Sequence, residues 1–178
     1  SAKTEIEQIE QKMSVMKEAI NRLSWDDMRN QINPAKKYEL GELKKLKRLD
    51  LFDNDLSGAI PGTLGNLDSL RILRLEENQL NGLIPSELGK LIKLELLTLN
   101  NNDSLYGPIP REFGNLTNLT ALILSRNRLT GAIPSELGNL TNLENLFLHF
   151  NELSDSIPRE LGNLRNLKKL FLLENDLS

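Results

Sequence analysis

The sequence predicts an α/β solenoid, a stack of coils wound about a parallel sheet, and three observations carry that prediction. The 178-residue chain repeats one phrase every 24 residues, in units that begin at Leu40, Leu64, Leu88, Phe113, Leu137 and Leu161. Within each unit apolar and variable residues alternate through L-x-x-L-x-L. An asparagine and an Ile-Pro pair follow at fixed distances. Self-similarity at this period is the mark of supersecondary units that bury their apolar faces only against each other.

The L-x-x-L-x-L segment comes first. Leu70, Leu73 and Leu75, or Leu46, Leu49 and Leu51, alternate at period two, which predicts a short half-buried strand. Strands spaced about 4.8 Å apart then form a parallel sheet whose inward leucines make one continuous core. The asparagines come next, at Asn54, Asn78, Asn102, Asn127, Asn151 and Asn175. An amide side chain offers both a donor and an acceptor to backbone groups that leave a strand, so these residues predict a structural ladder.

Glycine and proline complete the unit. Of 11 glycines, six follow the leading Leu or Phe and four stand one residue before Ile-Pro, so only Gly62 is left over and no glycine-rich phosphate-binding loop can be built. Asp155 replaces the glycine of the fifth unit, where left-handed backbone is expected and Asp tolerates it. Pro61, Pro85, Pro110, Pro134 and Pro158 fix extended backbone on the outer side. The third unit carries one insertion, Ser104, and the sixth stops at Ser178.

Residues 1–38 read differently and form a helical N-terminal cap, with the repeat domain at 39–178. Ile6, Ile9, Met13, Met16, Ile20 and Leu23 are spaced as one helical seam, and a second short helix is expected from Trp25 to Ile32 before Asn33-Pro34. Such helices would cover the open end of the stack. The same seam could instead join two chains as a coiled coil.

Composition removes whole classes of function. Net charge is −3, from 22 basic and 25 acidic residues, so no positive field gathers nucleic acid. No apolar run approaches the roughly 20 residues of a membrane span, so no membrane insertion is expected. With zero cysteines there is no thiolate nucleophile or cysteine metal site, and a reducing, cytoplasmic compartment is favoured. Four Asn-x-Ser/Thr sequons, at Asn102, Asn115, Asn118 and Asn139, point the other way. Asp53-Asn54-Asp55 opens like a calcium loop, but the twelfth position is Leu64 where a bidentate Glu is required. Glu87, Glu112, Glu136 and Glu160 recur at one position and are repeat decoration. No cofactor, metal centre or catalytic constellation is expected, and the chain is read as a non-enzyme.

The run Leu80-Asn81-Gly82-Leu83-Ile84-Pro85-Ser86-Glu87-Leu88-Gly89 and its copies resemble the plant-specific class of leucine-rich repeats. That class is seen in receptor-like kinase ectodomains and polygalacturonase-inhibiting proteins. The resemblance implies a right-handed, curved solenoid with a concave parallel sheet, a second short sheet near the Ile-Pro segments, a role in recognising other molecules, and an extracellular setting. Members of that class usually pair cysteines in their terminal caps, and this chain has none.

Residues between inward leucines face the concave side, in three columns. These are Arg48, Ile72, Leu96, Ala121, Asn145, Lys169; then Asp50, Arg74, Thr98, Ile123, Phe147, Phe171; then Phe52, Glu76, Asn100, Ser125, His149, Leu173. The later units therefore gather Ile123, Phe147, Phe171 and Leu173, with Phe150 at the edge and His149 as a polar contact. Exposed aromatic area of this size marks an interaction site. The earlier units place Arg48, Asp50, Arg74 and Glu76 together, a second-rank site or a solvated salt-bridge mesh. The leading reading is a protein- or peptide-recognition module. The alternatives are a scaffold whose copies join through the aromatic patch, the N-terminal helix or the open C-terminal end, and a regulatory or targeting part of a larger protein.

Overall fold

A computed structural model describes residues 43–178; the N-terminal helices expected from the sequence lie outside the described residues. Six short strands, β1 (Arg48–Asp50), β3 (Ile72–Arg74), β5 (Leu96–Thr98), β7 (Ala121–Ile123), β9 (Asn145–Phe147) and β11 (Lys169–Phe171), form one parallel sheet in that spatial order. Five more, β2 (Ser57–Ala59), β4 (Gln79–Leu83), β6 (Ser104–Gly107), β8 (Arg128–Ala132) and β10 (Glu152–Ser154), form a second parallel sheet. Each of the first five coils thus contributes one strand to each sheet and closes through a 3-10 helix, and β11 adds the first strand of a sixth. No described helix is long and apolar enough to cross a membrane.

The 3-10 helices Gly62–Asn66, Ser86–Lys90, Arg111–Asn115, Ser135–Asn139 and Arg159–Asn163 each start directly after the proline of Ile-Pro. Those prolines sit at φ between −61° and −68° with extended ψ, as their rings require. Each of these helices is 5 residues long, a short 3-10 piece of the kind common in connections.

Leu64, Leu67, Leu70, Leu73, Leu75 and Leu80 and their equivalents in the third, fourth and fifth units are fully buried in one cluster, whereas Leu170 of the last unit is 40% exposed. Burying a leucine contributes roughly 1.5–3 kcal/mol, so each coil's aliphatic ring outweighs any surface contact described below. Phe113 replaces the leading leucine of the fourth unit and is equally buried.

The asparagine ladder is present and its chemistry is uniform. Asn78 Nδ2 donates to Leu51 O of the preceding coil at 2.8 Å and to Leu75 O of its own at 3.1 Å, while its Oδ1 accepts from Leu56 N at 3.0 Å. Asn102, Asn151 and Asn175 repeat the pattern. Asn127 shows how the inserted residue is absorbed. Its Oδ1 accepts from Asn102 N at 3.1 Å, because residues 102–105 close a turn in which Leu105 N donates to Asn102 O at 2.9 Å.

Left-handed backbone occurs at two places in the coil. One is the glycine before Ile-Pro: Gly58, Gly82, Gly107 and Gly131 have φ between 75° and 86°, and Asp155 takes the same role at 66°. The other has no sequence signal. Asp53, Glu77, Asn101, Arg126, Phe150 and Glu174, each one residue before the ladder asparagine, lie at φ 54° to 56°.

Candidate functional site

Parallel pairing puts like positions side by side. Ile123 is opposite Phe147, and Phe147 opposite Phe171, so the central column of the six-stranded sheet is continuous. Bonds beyond the strands, Leu148 N to Phe171 O at 2.9 Å and Phe150 N to Leu173 O at 3.0 Å, carry the same register outward. Two aromatic rings held in register at strand spacing must stack. Those of Phe147 and Phe171 have centroids 4.6 Å apart and planes 14° from parallel.

The other predicted residues surround this pair. His149 meets Phe171 edge-on at 5.8 Å, Phe150 at 5.4 Å, and lies 6.1 Å from Phe147. Phe150, Phe171 and Leu173 are 39%, 43% and 54% exposed, while Ile123, Phe147 and His149 are half-buried. All six residues of the expected patch therefore share one face, with the stacked rings at its centre. The histidine is held by rings, not by polar partners. Its Nδ1 is buried without a hydrogen bond, and loss of solvent, with the Arg126 charge second, pushes its pKa below 6.5. At neutral pH the imidazole is uncharged, which keeps the patch apolar.

Arg126 was not singled out from the sequence. Its guanidinium lies 4.7 Å from the centre of the Phe150 ring, at the margin of the patch. The signal lay one residue beyond the third column, in the left-handed position that aims its side chain along the sheet's rim.

The earlier coils hold the second expected group. Arg48 pairs with Asp50 at 2.5 Å, and Arg74 pairs with Glu76 while its guanidinium lies 3.9 Å over the Phe52 ring. The expectation of a solvated mesh needs correction at Glu76. That carboxylate is 6% exposed and also accepts from the Thr98 hydroxyl, because the Arg74 side chain folds over it instead of reaching into water. Internally satisfied in this way, the group has little left to offer a partner. Asp50 Oδ1 is buried without a hydrogen bond.

On the outer side Glu112, Glu136 and Glu160 line up as expected, each half-buried, and Glu160 is held below its usual pKa by its own backbone N–H and then by Arg159. No group of three or more metal-capable side chains occurs among the described residues. A shallow groove of about 540 Å³ crosses the second sheet, lined by Asn81, Ser104, Tyr106, Arg128, Thr130 and Glu152, which the sequence did not mark.

The model for a leucine-rich repeat region matches residues 38–177. The chain belongs to the leucine-rich repeat family. Solved structures agree. The plant peptide hormone receptor RGFR1, in complex with RGF2, is 43% identical with a TM-score of 0.76 over 78% of this chain and 22% of its own. The Arabidopsis receptor kinase HAESA, in complex with the peptide hormone IDA and the co-receptor SERK1, is 41% identical with a TM-score of 0.74 over 77% of this chain and 23% of its own. The ectodomain of the Arabidopsis thaliana receptor kinase SOBIR1 is 31% identical with a TM-score of 0.67 over 75% of this chain and 74% of its own. The chain thus spans 19% to 27% of the peptide receptors it resembles. Comparison with curated proteins gives no match. The plant-type repeat expected from the sequence is the family found, and it is built here without a single cysteine.

Proposed function

We propose that this chain is a non-catalytic recognition module that holds a peptide or an extended protein segment on the concave face of its later coils. The stacked, solvent-facing Phe147–Phe171 pair carries the reading. Two phenylalanines turned to water on a stable sheet have a folding cost that a bound apolar side chain would offset, and aromatic anchors dominate binding energy at such surfaces. Ile123, His149, Phe150 and Leu173 extend the apolar floor, and Arg126 supplies a cation at the rim. Similarity to receptors solved with peptide hormones supports an extended peptide as the occupant.

Selection of a random peptide library on the immobilised chain tests this. Peptides that bind should lose at least tenfold in affinity against Phe171→Ser and His149→Ala while their affinity for Tyr106→Ser is unchanged. Binders indifferent to Phe171 would place recognition elsewhere. Exposure of the same rings also favours a second reading, in which two copies pair through them. Sedimentation across a concentration range separates the two, since only self-association gives a dimer that Phe171→Ser abolishes.

A further inference from the structure

The groove on the second sheet is built from side chains that the concave patch does not use. We propose that it binds a neutral, β-linked oligosaccharide of glucose-like sugars, stacked on Tyr106 and held through its hydroxyls by Asn81, Arg128, Thr130 and Glu152. Parallel pairing sets Asn81 opposite Ser104, Tyr106 opposite Arg128, and Thr130 opposite Glu152. Their neighbours in the strands, Leu80, Leu105, Leu129 and Leu153, are fully buried, so these six side chains turn outward together. Gly82 and Gly107 also line the groove and keep its floor low. Four strands at about 4.8 Å spacing give a track about 14 Å long, enough for several linked sugars.

The polar groups of this groove are unpaired. No side chain of Asn81, Ser104, Tyr106, Arg128, Thr130 or Glu152 makes a hydrogen bond or ion pair among the described residues, although Arg128 and Glu152 stand on adjacent strands. Other surface charges do pair, as Arg71 does with Glu95 and Lys168 with Glu144, and on the same sheet Gln79 donates to Asp55 at 3.1 Å. Among them lies an apolar platform. Tyr106 is 53% exposed, and Leu83, opposite it in register, is 55% exposed and lies across Gly107, where a Cβ would come within 2.4 Å of its Cδ2. The one insertion in the repeat, Ser104, opens β6 at the middle of the groove, and insertions in solenoids gather on the face that binds.

The ligand class follows from this chemistry. One guanidinium and one carboxylate cancel, so a ligand of high charge gains little from the field here. An amide, a hydroxyl, a guanidinium and a carboxylate offer donors and acceptors together, as a row of sugar hydroxyls requires, each being both. Sugars with equatorial hydroxyls turn a C–H face outward, and that face fits an exposed aromatic ring framed by polar groups. β-Linkage keeps the chain extended along the sheet. An extended peptide is less suited, because β6 and β8 are interior strands and leave no open edge for it to pair with.

Calorimetric titration of the whole chain with cellohexaose tests the proposal, with hexagalacturonate as an acidic comparison. Cellohexaose should bind, and hexagalacturonate should bind more weakly. Tyr106→Ala should lower cellohexaose affinity by about tenfold or more, while Tyr106→Phe, which keeps the ring, stays within about threefold. Arg128→Gln and Glu152→Gln should each weaken binding, and Ile92→Ser, exposed and outside the groove, should not. Unchanged melting temperatures would show that these surface variants fold. Absence of cellohexaose binding, tighter binding of hexagalacturonate, or full affinity in Tyr106→Ala overturns the proposal. The peptide assay depends on Phe171 and this titration on Tyr106, so either reading can fail without the other.

Discussion

A Cβ on Gly89 would lie 2.6 Å from the backbone oxygen of Glu112, one coil further on. Gly65, Gly114 and Gly138 face Glu87, Glu136 and Glu160 in the same way, at 2.3 to 2.6 Å. At Gly65, Gly89, Gly114 and Gly138 glycine is therefore required by contact between coils, not by its own backbone angles.

This contact makes a matched pair of substitutions informative. Gly89→Ala should cost about 2–3 kcal/mol, since the backbone it strikes cannot move without separating two coils. Gly162 occupies the same position but nothing lies within 4 Å of its would-be Cβ. Gly162→Ala should be neutral or gain up to about 1 kcal/mol by restricting the unfolded chain. Equal destabilisation of both in urea titrations would show that the close approach is not the cause.

The ladder predicts a larger loss. Asn102→Ala leaves Leu80 N without a partner in a dry core, at about 1–3 kcal/mol, and takes one of two asparagine donors from Leu75 O and from Leu99 O, at about 1 kcal/mol each, so a loss of about 3–5 kcal/mol is expected. Asn102→Asp keeps the volume but turns an acceptor toward two carbonyls. It should therefore be no better than alanine, and thermal melts of both variants check this.

The left-handed row predicts a gain. Glu77, with φ 56°, is exposed, and its coil-to-coil equivalent is already an asparagine at Asn101. Glu77→Asn should stabilise by about 0.5–1 kcal/mol, because Asn tolerates this conformation better. Phe150 bears the same strain at φ 55° while presenting its ring to the candidate site.

His149 gives a pH signature. Its native pKa lies below the 6.5 of the free side chain, so in the window between the two values the unfolded chain holds more protons than the folded one. Stability is then full above 6.5 and falls as pH drops through that window toward the native pKa. His149→Gln should flatten this component, visible as a wild-type minus variant difference in melting temperature from pH 7 downward. A difference that stays constant with pH, or shrinks as pH rises through that window, would show that the ring is not desolvated.

Local periodicity made most of the fold legible. Alternation fixed which leucines point inward, and therefore the columns of the concave face that brought Ile123, Phe147 and Phe171 into one row. The ladder asparagines and the Asp155 substitution were readable for the same reason: each depends on neighbours a few residues away in a unit written several times.

What escaped were contacts between coils that depend on how side chains lean. Arg126 over Phe150, and Arg74 folding over Phe52 to bury Glu76, arise from residues about 22 to 24 positions apart. The repeat by itself determined a stack of coils, its aliphatic interior and the face on which variable residues gather. Only the tertiary structure decided which of those residues remain free to meet a partner, because hydrogen-bond satisfaction and exposure are set by the adjoining coil and are not written in the unit that carries the residue.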